Sequence, residues 1–232
     1  PRPRASHRCG AAAMLPCLAP RRLRPYNTGA MPSQLWRLFI AVELNIEVRQ
    51  AIGRVQAELK RQLPPKAVRW TNPDGIHLTL KFLGDTPAEK APAVVEGLSA
   101  AAAGFEPFQV HVAGFGCFPN PHRPRVLWAG VPEIPRPLAG VQRAVDLHMA
   151  RLDYARESRA FSPHLTLGRV NDRLAAADSQ ALSAVLSRTQ VGELGIVQVQ
   201  EVVLFKSDLR PDGAIYTALA RAQLASGHAP AP

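Results

Sequence analysis

Apolar residues recur along this chain with two periods, and the periods alternate. Residues 35–43 form a β-rich apolar run that predicts a strand. Val48, Ile52, Val55, Leu59 and Leu63 then follow at spacings of three and four, which places them on one helix face, and Pro64-Pro65 stops the helix. A short strand over residues 67–70 and a Pro-Asp-Gly turn lead into a strand over 76–83. Thr86-Pro87-Ala88-Glu89 combines a capping box with proline at the first helical position, so the second helix is expected to start there and run through the alanines near 101. The second half repeats the theme. Strands are predicted near 108–115 and 126–131, a helix over 137–152, a strand over 164–170 and a helix over 174–186. Two closing strands, 196–205 and 214–220, are joined by a turn at Pro211-Asp212-Gly213. Strands and helices mix without a regular βαβ rhythm, which favours an α+β fold with mainly antiparallel sheets.

The ends lie outside this pattern. Residues 1–30 are rich in Pro, Arg and Ala, lack periodicity and precede Met31, so they read as a disordered basic extension; residues 226–232 read as a disordered tail. One folded unit is expected over 31–225. Six arginines and no acid in residues 1–30 account for +6 of the formal +10, leaving +4 for residues 31–232. The folded part is thus modestly basic, which is compatible with a phosphate-bearing ligand without demanding one. The chain has 3 cysteines, of which only Cys117 falls in patterned sequence; no disulfide framework follows, and a reducing cytoplasm is the simpler expectation. No apolar run is long enough to span a bilayer.

The informative feature is an internal repeat: His77-Leu78-Thr79-Leu80 and His164-Leu165-Thr166-Leu167. On a strand, side chains two apart share a face, so each motif presents an imidazole beside a hydroxyl while its leucines turn to the other side. One such segment is ordinary. Two, related by a pseudo-twofold axis, can place imidazoles on opposite sides of one phosphate, one taking a proton from water and the other giving one to a leaving alkoxide. The threonine hydroxyls can donate to the non-bridging oxygens. The symmetry breaks after the fourth residue, where Lys81-Phe82 faces Gly168-Arg169. Gly168 can permit a bulge that turns Arg169 back toward the phosphate as a clamp.

Further candidates are Phe39 and Phe118 for stacking on a nucleobase and Lys81 for steering RNA phosphates, since the period-two rule puts it on the face of His77. Arg123 and Arg125 are candidate backbone contacts. There is no lysine-bearing Gly-rich phosphate loop, nucleophile elbow or metal-ligand cluster; no metal or cofactor is expected.

These residues carry a resemblance. Arg37 to Val42, His77 to Gly84, Phe118-Pro119-Asn120-Pro121, Arg125 to Gly130 and Phe161 to Arg169 resemble, in order and spacing, blocks of the two-histidine phosphoesterase superfamily, and most closely the RNA 2′,3′-cyclic phosphodiesterases formerly termed 2′-5′ RNA ligases. The resemblance implies two pseudo-symmetric lobes with helices on the outer faces and a central cleft. It also implies that His77 is the general acid and His164 the general base, and that Thr79, Thr166 and Arg169 hold the phosphate, acting without metal on RNA ends or small nucleotides as a monomer. Two alternatives stay open at this point. One is a non-catalytic RNA or nucleotide binder of the same fold, and the other is a phosphodiesterase for a different 2′-linked substrate.

Overall fold

A computed structural model describes residues 34–210 and 213–225. The expected extension, the expected tail and Pro211-Asp212 of the last turn lie outside the described residues.

The described residues form nine strands and four α-helices in the order β1 (Leu35–Glu43), α1 (Ile46–Gln62), β2 (Val68–Trp70), β3 (His77–Pro87), α2 (Ala91–Ala102), β4 (Phe108–Phe118), β5 (Val126–Gly130), α3 (Arg136–Ala150), β6 (His164–Val170), α4 (Ala176–Arg188), β7 (Glu193–Val199), β8 (Glu201–Arg210) and β9 (Gly213–Gln223). They form a four-stranded sheet of order β3-β1-β8-β9 and a five-stranded sheet of order β2-β6-β5-β4-β7. Every pairing described is antiparallel, as the α+β reading expects. α2 and α3 pack on each other and on the first sheet, α2 against β8 and β9 and α3 against β3, while α1 lies on the second sheet against β7.

The helices bury the stripes that their periodicity announced. Val48, Ile52 and Leu59 of α1 are at most 2% exposed, and Leu138, Val141, Val145 and Met149 of α3 are fully buried. They meet the inward residues of both sheets, Leu38, Ile40 and Val42 among them, in one continuous core. Alternation in β1 is what divides the first sheet into two faces. Phe39 and Ala41 belong instead to a separate small cluster with Val203 and Phe205, and Tyr216 packs against it.

Two expectations are corrected. The second α-helix begins at Ala91, after β3 has continued to Pro87 and a 3-10 turn has followed at Ala88–Lys90. Thr86 is no cap: it pairs with Trp36 in the sheet, and its hydroxyl donates to the Gly84 carbonyl and accepts from Tyr154. The apolar run over 196–205 is not one strand either. It breaks at Gln200, with β7 ending on the second sheet and β8 starting on the first.

Candidate active site

Each motif opens a strand. His77 is the first residue of β3 and His164 the first of β6. The four motif leucines, Leu78, Leu80, Leu165 and Leu167, are at most 5% exposed and share the main core, so truncating any one to alanine costs about 2–5 kcal/mol. That burial fixes the faces. His77 with Thr79, and His164 with Thr166, are held on the sides turned away from the common core, and β3 and β6 lie in contact.

Both strands carry an irregularity at the same motif position. Ile40 pairs with Lys81 and Ala41 with Thr79, which leaves Leu80 unmatched; Leu127 pairs with Gly168 and Trp128 with Thr166, which leaves Leu167 unmatched. A bulge shifts the alternation by one. The fifth motif residues, Lys81 and Gly168, are therefore buried beside the fourth, and the sixth, Phe82 and Arg169, return to the face of the histidine and threonine as exposed residues. Gly168 is required where it stands: a Cβ there would lie 2.6 Å from Val68 Cγ1 and 3.0 Å from the Arg69 carbonyl of the neighbouring β2. The carbonyl of unmatched Leu167 does not go unsatisfied, because it accepts from the Thr71 N–H at 3.0 Å and from Gln56 Nε2 at 2.8 Å.

The imidazoles are oriented by one device used twice. His77 Nδ1 lies 3.0 Å from the Gly75 carbonyl and His164 Nδ1 lies 2.8 Å from the Ser162 carbonyl, each two residues upstream. A carbonyl can only accept, so Nδ1 carries the hydrogen in both rings and Nε2 is the nitrogen left for chemistry. Their surroundings differ. His77 stacks on Phe39 with centroids 4.5 Å apart, meets the edge of Tyr216 at 5.0 Å and lies 6.0 Å from Phe205. Burial in this aromatic setting pushes its pKa down from 6.5 to about 4, against the raising effect of the Gly75 carbonyl. Among the described residues His164 has one aromatic neighbour, Phe118, edge-on at 5.1 Å.

Two site expectations are corrected. Lys81 does not share the face of His77 and Thr79: the bulge turns it inward, where the residue is 7% exposed and its ammonium donates to Asp146 Oδ1 at 2.6 Å and to the Ala155 carbonyl at 2.7 Å. Asp146 on α3 also accepts from Arg156 Nε and the Glu157 N–H. Burial alone would raise the Asp146 carboxyl, but these donors hold it below the usual carboxylate range. Phe39, at 2% exposure, backs His77 from beneath and offers no open face to a base. Phe118 is partly buried between His164 and Trp128. Arg123 and Arg125 are exposed in the segment between β4 and β5. Phe82, which the sequence reading passed over, is 70% exposed and sits 6.1 Å from Phe39. The signal was present, because Phe82 occupies the motif position of Arg169.

A concavity of about 1000 Å³ between α1 and residues 188–194 holds none of these groups. Among the described residues, no three His, Cys, Asp or Glu side chains cluster as a metal site would, and no helix is long and apolar enough to cross a membrane.

Comparison with known proteins points to one family. The family described as LigT like Phosphoesterase matches twice, over residues 42–128 and 130–216, each span holding one motif. The chain is 35% identical over 181 residues to the RNA 2′,3′-cyclic phosphodiesterase of Methanothermobacter thermautotrophicus, covering 78% of this chain and 95% of that one. It is 33% identical to the protein of the same description from Archaeoglobus fulgidus, covering 78% and 96%. The structure resembles that of E. coli LigT complexed with 3′-AMP, with a TM-score of 0.65 at 28% identity over 82% of this chain and 99% of that one.

Proposed function

Because the chain belongs to the LigT-like phosphoesterase family, we propose that it hydrolyses the 2′,3′-cyclic phosphate ends of RNA to 2′-phosphomonoesters. The observation that carries this reading is the doubled device: an imidazole with its Nδ1 capped by a carbonyl beside a threonine hydroxyl, present on two strands in contact. His164 Nε2 takes a proton from water as the water oxygen attacks phosphorus. The bond from phosphorus to O3′ breaks, and His77 Nε2–H protonates the departing oxygen. The oxygens that gather charge are met by Thr79, Thr166 and Arg169. The strained five-membered ring is already reactive, so the acid-base pair suffices without a metal. With a 5′-hydroxyl in place of water as the nucleophile, the same pair breaks the same P–O3′ bond and leaves a 2′-5′ linkage.

The acid role needs a proton that the free site does not hold at neutral pH, since burial keeps His77 near 4. The anionic phosphodiester supplies the remedy: a negative charge beside the ring favours the imidazolium and raises its pKa on binding. Exposed Phe82, on the same face, is suited to stack on the terminal base. Partly buried Phe118 borders the His164 side.

The test is turnover of an oligonucleotide ending in a 2′,3′-cyclic phosphate, in excess chelator. A 2′-phosphate end should form, and His77→Ala and His164→Ala should each lower kcat by about a hundredfold or more. Normal turnover by either variant would refute the acid-base pairing, and dependence on added metal would refute the metal-free step.

A further inference from the structure

Arg69 lies in the three-residue strand β2, and its partner across the sheet is Arg169. Directly opposed residues on antiparallel strands share a face, with Cβ atoms about 4.5–5.5 Å apart. The neighbours settle which face this is. Val68 is 7% exposed in the core, and the missing Cβ of Gly168 would point at its side chain, so the residues that flank them on each strand turn the other way, with His164 and Thr166. Both arginines are exposed. Among the described residues neither makes an ion pair or a side-chain hydrogen bond, although Arg61, Arg156 and Arg221 all do. Like charges set directly opposite destabilise a sheet. An anion between them reverses that sign.

The sheet order gives the pair a direction. Among the described residues β2 is the edge strand and β6 its only neighbour, so Arg69 stands one strand spacing, about 4.8 Å, further out than Arg169. If Arg169 clamps the cyclic phosphate, an anion held by Arg69 lies beyond it at the sheet edge, where a polynucleotide would leave the cleft. We propose that Arg69, beside Arg169, provides a second anion subsite that binds the phosphodiester immediately 5′ of the terminal nucleotide. The protein thereby distinguishes the end of an RNA chain from a free cyclic mononucleotide. This deepens the activity proposed above and rests on it for the placement of Arg169.

The experiment compares two substrates, a dinucleotide ending in a 2′,3′-cyclic phosphate and a nucleoside 2′,3′-cyclic phosphate with no 5′-phosphate. Arg69→Ala should raise KM for the dinucleotide about tenfold, the loss of one charge-assisted hydrogen bond, with kcat within about twofold. It should leave both parameters for the nucleoside substrate unchanged, which also reports that the variant is folded. Arg69→Lys should recover part of the loss, and the salt dependence of dinucleotide binding should flatten by about one unit in Arg69→Ala. An equal effect on both substrates, or none on the dinucleotide, overturns the subsite. Should wild-type protein turn over neither, the proposed activity fails. Affinities for the corresponding 2′-phosphate products, a dinucleotide against a mononucleotide, then decide the subsite alone: an Arg69→Ala loss confined to the dinucleotide supports it, and no difference overturns it.

Discussion

Lys81→Met removes one partner of a buried ion pair whose side chains are 5% and 6% exposed. Leaving a buried charge unpaired typically costs about 3–5 kcal/mol. Asp146 keeps the Arg156 guanidinium and the Glu157 N–H, so the lower end, about 3 kcal/mol, is expected. At roughly 2–4 °C per kcal/mol for a domain of this size, Tm should fall by about 6–12 °C. Adding Asp146→Leu removes the carboxylate left without its ammonium and should restore part of that loss, since Arg156 and the Glu157 N–H then lose their acceptor. Activity should behave differently. The segment 151–163 leading to His164 contains no helix or strand, and it is tied to β3 by Lys81 on the Ala155 carbonyl and by the Tyr154 hydroxyl on Thr86. Its Ser162 carbonyl is what orients the His164 ring. Releasing the segment should lower kcat about tenfold in the single variant and at least as much in the double, which also loses the Asp146 ties to Arg156 and Glu157, because small misplacement of a reacting group is costly. Thermal melts and steady-state kinetics on the same preparations separate the two effects. If kcat returns together with Tm in the double variant, the tether has no positioning role and the reasoning is wrong.

Acid should weaken the fold through His77. Its folded pKa near 4 lies below the unfolded 6.5, so the contribution is complete above about pH 6.5 and drains away as pH falls toward 4, where the unfolded chain takes up the proton first. Between pH 7.5 and 5.0 that amounts to roughly 2 kcal/mol, visible as a steeper drop in Tm for wild type than for His77→Asn; parallel curves would contradict the burial argument. Gly168→Ala should push β2 away from β6, costing about 1–3 kcal/mol in a urea melt and raising KM as Arg169 loses its aim. An unchanged midpoint and KM would mean that the close approach at Gly168 is easily relieved.

The parts of the site that follow from alternation were legible in the sequence. Period two placed each histidine beside its threonine and sent the leucines to the core, and Gly168 announced the bulge that returns Arg169 to the cleft face. The matching bulge at Leu80 has no glycine to mark it, so the same rule extended past it put Lys81 on the wrong face. Its real partner, Asp146, is 65 residues away in sequence, and no local period encodes that meeting. Phe39 was misread for a related reason. Whether an aromatic on a strand is covered depends on which strands flank it, and β8, which brings Phe205 against it, comes from the far end of the chain. The break at Gln200 was hidden because apolar residues continue on both sides of it. Arg69 went unnoticed because its partner is known only from the register of β2 with β6.

Gln200 is the sole residue between β7 at the edge of one sheet and β8 inside the other. The first sheet therefore takes β1 and β3 from before the midpoint of the repeat and β8 and β9 from after it, while the second mixes β2, β4 and β5 with β6 and β7. Although the motif is duplicated, neither copy owns a complete sheet. A polypeptide severed between β5 and α3, close to where the two family-matching spans meet, would yield fragments that are each other's missing strands, and a working pair of histidines would then be a report of reassembly, since each fragment brings only one.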